Sequence, residues 1–313
     1  MNTIYDVIIL GSGPGGIQAA IHASRKKAAV LMLGRMHKSS LFWAHVENFC
    51  CQLRVTGEEM LETGKMQAEK FGTEIIEEDV LSILPQGKHF VVTIESGRSF
   101  TTRSLVLATG TTRNKLGVPG EKELLGKGVS YCVECDGGFF RNEPVAVIGG
   151  QSAAVGGAVT LSKLASKVWL VNERFDVASE LLGQAQDSGV TLLEGAGVEA
   201  IEGESAVTGV RLKDGNHLPV AGVFIELGAK GVLELAATLG LELDESMKYV
   251  QTDKKQRTNI PGVYAAGDIC GPPLQIAKAV GEGCVAGIEA ASYARKLKTA
   301  QTDAEADPDE DKD

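Results

Sequence analysis

Two stretches of the chain share one pattern of apolar and polar positions. A largely apolar run, Tyr5–Leu10, leads into the glycine turn Gly11-Ser12-Gly13-Pro14-Gly15-Gly16. An alanine-rich segment of helical spacing, Ile17–Ala23, and a second apolar run over 28–33 follow. The pattern returns with its first glycine 138 residues later. The run Pro144–Ile148 leads into Gly149-Gly150-Gln151-Ser152-Ala153-Ala154, then a helical segment over 155–164 and an apolar run over 167–171. A strand without polar alternation, a tight turn and a small-residue helix together predict a parallel βαβ unit with both sheet faces covered. Short apolar runs ending in glycine recur at Ser104–Gly110, Val223–Gly228 and Gly262–Gly267. Residues 88–102 alternate around Ser96-Gly97, and 207–218 alternate around Asp214-Gly215; each predicts a hairpin. A final amphipathic helix is expected over 275–296. The sum is an α/β chain of two Rossmann-like, doubly wound domains, each built on one glycine turn.

Composition narrows the class. Of 313 residues 38 are glycine, with no three-residue period, so the excess belongs to turns and close backbone approaches. The net charge of -10 argues against nonspecific nucleic-acid binding. Residues 299–313 hold seven acids and one Lys, so the body of the chain is only mildly negative; this tail is expected to be disordered. The apolar run at 4–10 lacks a basic leader and a cleavage site, and no stretch is long enough to span a bilayer, which predicts a cytoplasmic, non-membrane protein. Six cysteines are too few for a disulfide scaffold.

Candidate chemistry begins with Gly11–Gly16. This is a G-x-G-x-x-G turn between strand and helix, where the glycines allow a tight turn and backbone approach to a pyrophosphate at the helix N-terminus. The acid expected about 20 residues on is missing, since the second strand ends at Leu33-Gly34-Arg35. The pair Cys132-Val133-Glu134-Cys135, followed by Asp136, fits a redox disulfide better than a zinc site, because no second pair completes a tetrahedral set. Cys50, Cys51, Cys270 and Cys284 are expected to be small packing residues, and Phe42 and Trp43 to be core.

The chain resembles the low-molecular-weight thioredoxin reductase family over roughly residues 4–297. The resemblance is carried by Gly11–Gly16, Val46-Glu47-Asn48-Phe49, Leu107-Ala108-Thr109-Gly110, Val118-Pro119-Gly120-Glu121, Tyr131–Gly137, Asn259-Ile260-Pro261-Gly262, Ala265-Ala266-Gly267-Asp268 and Ala279–Gly283. It implies a homodimeric FAD enzyme whose FAD domain (1–113 and 244–298) is split around a nicotinamide-type domain (114–243) carrying the redox cysteines. It implies that Gly11, Ser12, Gly13, Pro14 and Gly15 hold the FAD pyrophosphate and that Gly267 and Asp268 meet the diphosphate–ribityl region. Asn48, Ala108, Thr109, Gly110, Gln275 and Ile276 are implied to lie near the cofactor. Cys132 and Cys135 become the redox pair that reduces a thioredoxin-like disulfide, with Asp136 as general acid.

The second turn departs from that family. Gln151 stands where the second glycine belongs, Gly156-Gly157 replace a Glu pair, and the basic cluster after the next strand reads Asn172-Glu173-Arg174. A Gln side chain obstructs a pyrophosphate, and Glu173 repels a 2′-phosphate. The expectation is a reductase independent of NADPH, served by a ferredoxin or flavodoxin donor. Three alternatives stay open: an NADH-dependent reductase with Glu173 as ribose acid, an FAD-dependent dithiol oxidase, and a non-catalytic flavin redox sensor.

Overall fold

The computed structural model describes residues 4–110, 115–227, 238–245 and 247–306, without the side chains of Glu134, Cys135 and 302–306. The chain opens with β1 (Ile4–Leu10), α1 (Pro14–Arg25), β2 (Val30–Leu33), the short ladder β3 (His45–Val46) and β4 (Val55–Thr56), and α2 (Gly57–Lys70). It continues through β5 (Glu74–Ile76), β6 (Val80–Gln86), β7 (His89–Ile94) and β8 (Ser99–Leu107). A second series follows: β9 (Val129–Ser130), α3 (Val133–Asp136), β10 (Pro144–Ile148), α4 (Ser152–Ser162), β11 (Lys167–Asn172), α5 (Ser179–Asp187) and β12 (Thr191–Glu194). It ends with β13 (Val198–Gly203), β14 (Val207–Leu212), β15 (His217–Leu218) and β16 (Gly222–Ile225). The chain closes with β17 (Val263–Ala265) and α6 (Ile276–Ala306).

The first sheet has the order β5-β2-β1-β8-β7-β6. β8 branches: Ser99–Thr102 pair antiparallel with β7, while Leu105–Leu107 pair parallel with β17 on the same edge. Apolar residues alternate between two cores. Ile8, Leu10, Leu31, Leu33, Leu105 and Leu107 face one side, while Val7, Ile9, Val30, Met32 and Val106 face the helices α1, α2 and α6. The hairpin expected around Ser96-Gly97 is β7–β8.

The second sheet is wholly parallel, β12-β11-β10-β16-β9, beside an antiparallel β13-β14-β15. Its strands come from residues 129–225, whereas the first sheet draws on 4–107 and 263–265. The chain rejoins the first core earlier than residue 244, because Leu239 and Leu241 are buried there.

The start of the tail departs from expectation. α6 continues to Ala306, through residues expected to be disordered from 299. Ala, Gln and Glu in this stretch are good helix formers, and their propensity extends a helix already nucleated by packing on α1. The remainder of the tail lies outside the described residues. Among the described residues no helix is long and apolar enough to cross a membrane.

Candidate active site

The first glycine turn opens into a cavity of about 620 Å³. Gly11 has φ +108, and a Cβ there would collide with the Ala108 carbonyl; only glycine lets β1 and β8 end side by side. α1 then starts at Pro14 with no side chain capping it, so its first-turn N–H groups are available to an anion in the cavity. Gly11, Ser12, Gly13, Pro14, Gly15, Asn48, Ala108, Thr109, Gly110, Gly267, Asp268, Gln275 and Ile276 all line this one space. They come from elements separated by more than 200 residues. β17 and the start of α6 deliver the last four.

Local contacts hold these walls. Asn48 donates Nδ2–H to Gln275 Oε1 at 3.0 Å, tying the β3–β4 loop to the start of α6. The Gly267 turn is braced from α6: its N–H donates to Glu282 Oε2 at 2.8 Å, and Lys278 Nζ donates to its carbonyl at 2.8 Å. Burial pushes the Asp268 carboxyl up, against the pull of Lys278 and with the help of Glu282. Thr109 Oγ1 is buried on the cavity wall without a protein partner. An orphaned hydroxyl beside an uncapped helix start fits a polar, phosphate-bearing ligand.

A charged cluster adjoins the cavity, and sequence reasoning missed its role. Arg35 makes a bidentate contact with the fully buried Glu95, at 3.0 and 2.7 Å, and reaches Asp79 at 3.4 Å. Lys38 Nζ donates to Asp79 at 2.9 Å. Burial alone would raise the Asp79 carboxyl; Lys38, Ser152 and Arg35 overcome it and hold that carboxyl below its ordinary value. Burial wins at Glu95, which is raised despite Arg35. Ser152, the first residue of α4 in the second unit, donates Oγ–H to Asp79 at 2.9 Å. Gln151 and Asp176 of that unit also line the cavity. No local motif announces the cluster, since Asp79 and Glu95 lie 44 and 60 residues from Arg35.

The dithiol region lies elsewhere. Cys132 is buried and disulfide-bonded, and its N–H donates to Ser130 Oγ at 3.0 Å. Ser130 in turn donates to Asp136 Oδ2 at 2.6 Å, fixing that carboxylate one helical turn from Cys132. Glu226, buried at the end of β16, accepts from the Val133 N–H at 3.2 Å. The side chain of Cys135 lies outside the described residues, though its backbone belongs to α3. Cys132 and Asp136 do not line the cavity. Phe139, three residues beyond Asp136, is 82% exposed.

The second glycine turn is covered. After β11 the chain folds back so that Asp176 N–H donates to the Gly150 carbonyl at 2.7 Å, and Asn172 Nδ2 donates to the Arg174 carbonyl at 2.5 Å. A Cβ on Gly150 would strike Asn172 Nδ2 and the Arg174 carbonyl; the glycine accommodates the protein's own chain. Glu173 points away as a surface ion pair with Lys213, at 2.9 Å. Two expectations are corrected here. Cys50 and Cys51 are exposed rather than packed, and Trp43 is 82% exposed rather than core; these residues flank β3, which pairs with β4 in a two-stranded ladder apart from the large sheets. Phe42 packs, as expected, against the core on the side of α1, α2 and α6.

A dinucleotide cradle in one unit and a redox disulfide in the other define a flavin-dependent disulfide oxidoreductase. Comparisons agree. The family described as pyridine nucleotide-disulphide oxidoreductase matches residues 5–283. The thioredoxin reductase of Listeria monocytogenes is 36% identical over 94% of this chain and 95% of its own length. Among solved structures, the atypical thioredoxin reductase TRi of Desulfovibrio vulgaris Hildenborough is 33% identical with a TM-score of 0.81, covering 94% of this chain and 99% of that one. A ferredoxin-flavin thioredoxin reductase from Clostridium acetobutylicum is 30% identical with a TM-score of 0.68, over 94% and 98%. The chain belongs to the pyridine nucleotide-disulphide oxidoreductase family, as a homologue of the thioredoxin reductases, and its cofactor is FAD.

Proposed function

We propose that this protein reduces a thioredoxin disulfide with electrons from a one-electron carrier of ferredoxin or flavodoxin type, independently of NADPH. The observation that supports the donor assignment is the covered second turn. Asn172 and the 174–176 backbone occupy the approach to Gly150, and Ser152 is bonded across to Asp79. Glu173, paired with Lys213 at the surface, is not directed at that turn, which disfavours the NADH reading. The likeness to the ferredoxin-flavin reductase of Clostridium acetobutylicum lends further support.

Bound FAD supplies a carrier that accepts single electrons and delivers a pair to a disulfide. In this reading Gly11–Gly15 and the start of α1 hold its pyrophosphate. Asp268 and Gly267 hold the diphosphate–ribityl stretch, and Asn48, Ala108, Thr109, Gly110, Gln275 and Ile276 flank the rest. Cys132 and Cys135 alternate between disulfide and dithiol. As a dithiol, one thiolate attacks the thioredoxin disulfide and the other resolves the mixed disulfide, releasing reduced thioredoxin. Asp136, oriented by Ser130, gives the departing thiolate its proton. Because Cys132 stands apart from the cavity, a rigid-body rotation of the inserted unit carries the pair between its two duties. The reading includes a homodimer, which sedimentation tests.

The deciding experiment is an anaerobic titration of the yellow protein followed by its flavin absorbance. Reduced ferredoxin should bleach it and NADPH and NADH should not. Rapid bleaching by micromolar NADPH would refute the donor assignment.

A further inference from the structure

Cys50 and Cys51 are adjacent in the loop between β3 and β4, and both are exposed and free. Their Sγ atoms are 3.5 Å apart, at van der Waals contact. Cys51 adopts φ +68, and Arg54, three residues on, adopts φ +54. Non-glycine residues in the left-handed region are uncommon, and here two fall within one short loop. That backbone brings side chains together that would point to opposite sides of an extended segment. The loop is not a free end. Asn48, two residues before the pair, is bonded to Gln275, and both line the cavity. Thr56, just beyond the loop, closes a capping box with Glu59 at the start of α2.

We propose that Cys50 and Cys51 form a second dithiol–disulfide centre, separate from the Cys132 disulfide, that exchanges with accessible disulfides of small molecules or proteins. One thiolate attacks a sulfur of the incoming disulfide, breaks its S–S bond and expels the first thiol. The neighbouring thiolate then attacks the protein sulfur of the mixed disulfide and expels the second. Two protein thiols become one vicinal disulfide, one incoming disulfide becomes two thiols, and the two protein protons end on those thiols. The second attack is intramolecular between sulfurs already in contact, so the mixed disulfide is short-lived. The product links residues whose Cα atoms are about 3.8 Å apart, closer than ordinary bridged pairs, which makes the bond easily reduced and the centre reversible. Cys270 offers no such chemistry, since burial pushes its thiol up to about 12.

The test uses the intact holoprotein and 5,5′-dithiobis(2-nitrobenzoate) as the disulfide probe, with intact mass and peptide mapping of residues 39–54. The expected result is release of two thionitrobenzoate ions for this pair, loss of about 2 Da from the peptide, and no retained adduct. Cys50→Ser and Cys51→Ser should each retain one stable adduct on the remaining cysteine. Two adducts on the wild-type peptide, or no reaction at it, would overturn the proposal. The wild-type mapping decides the matter even if a variant fails to fold, and it is independent of the electron donor.

Discussion

The Ser152–Asp79 bond joins the inserted unit to the flavin unit, and its removal has a calculable effect. In Asp79→Ala, Lys38 loses its only ion-pair partner among the described residues, and the Ser152 hydroxyl, 1% exposed as a residue, loses its acceptor. Arg35 keeps Glu95. Breaking a buried charged group typically costs about 3–5 kcal/mol. Lys38 retains some access to water, so the lower end, about 3 kcal/mol, is expected. Ser152→Ala removes only the neutral donor and should cost about 1.5–3 kcal/mol. The two losses overlap in one hydrogen bond, so the double variant should fall short of their sum by about 1–2 kcal/mol. Urea unfolding of the holoprotein, followed by far-UV circular dichroism and by flavin fluorescence, measures all four corners of the cycle. The sign of the pH dependence follows from the direction of each shift. Asp79 is held below 3.8, so its contribution is complete above about pH 4 and is lost as pH falls through the depressed value. Glu95 is raised, so its contribution is present in acid and lost as pH rises through the raised value. Additive losses, or an Asp79→Ala variant within about 0.5 kcal/mol of wild type, would refute the idea that this contact joins the two units.

Three further outcomes are expected. Thr109→Val should weaken FAD binding by roughly tenfold, about the worth of one hydrogen bond, when apoprotein is titrated with FAD; unchanged affinity would mean its orphaned hydroxyl does not face the cofactor. Phe139→Ala should raise the KM for thioredoxin by roughly fivefold to thirtyfold at unaltered kcat, as loss of an exposed aromatic anchor beside the disulfide; an unchanged KM would place the docking surface elsewhere. Iodoacetamide at pH 8 should spare Cys270 in the folded protein and label it after denaturation, because its thiol is pushed up to about 12; equal labelling in both states would contradict its burial.

How much of this was legible in the sequence depended on whether the signal was local. The strand–glycine–helix pattern placed β1, α1, β10 and α4, because each is specified by neighbours within some twenty residues. The thirteen cavity residues were named through motif resemblance, and the fold brings them around one cavity. The Arg35–Asp79–Glu95 cluster was not legible. Its members lie 44 and 60 residues apart, and a buried carboxylate reads in sequence like any surface acid. Cys50 and Cys51 were misread for the opposite reason: cysteine is usually buried, and only the left-handed turn at Cys51 reveals an exposed pair. Residues 299–306 were misjudged by the charge of the tail, although their helix formers extend α6; the rest of the tail lies outside the described residues.

The two glycine turns begin from the same local geometry and differ in what approaches them. At the first, the close neighbour is the Ala108 carbonyl behind the turn, so the N-terminus of α1 stays open to a ligand. At the second, the Glu226 carbonyl lies behind Gly149 in the same way, and the returning chain is added in front, against Gly150. On the proposed reading, a dinucleotide there displaces the Asp176–Gly150 and Asn172–Arg174 bonds and separates Ser152 from Asp79. Two neutral hydrogen bonds at about 1 kcal/mol each and one to a carboxylate at about 2 kcal/mol amount to roughly 4 kcal/mol, or about a thousandfold in affinity. A micromolar nicotinamide site would thereby become a millimolar one. Restoring the missing glycine with Gln151→Gly removes an obstructing side chain but none of these three bonds, so NADPH reduction should not return. If that single substitution did confer it, Gln151 and not the covering segment would be the barrier to NADPH.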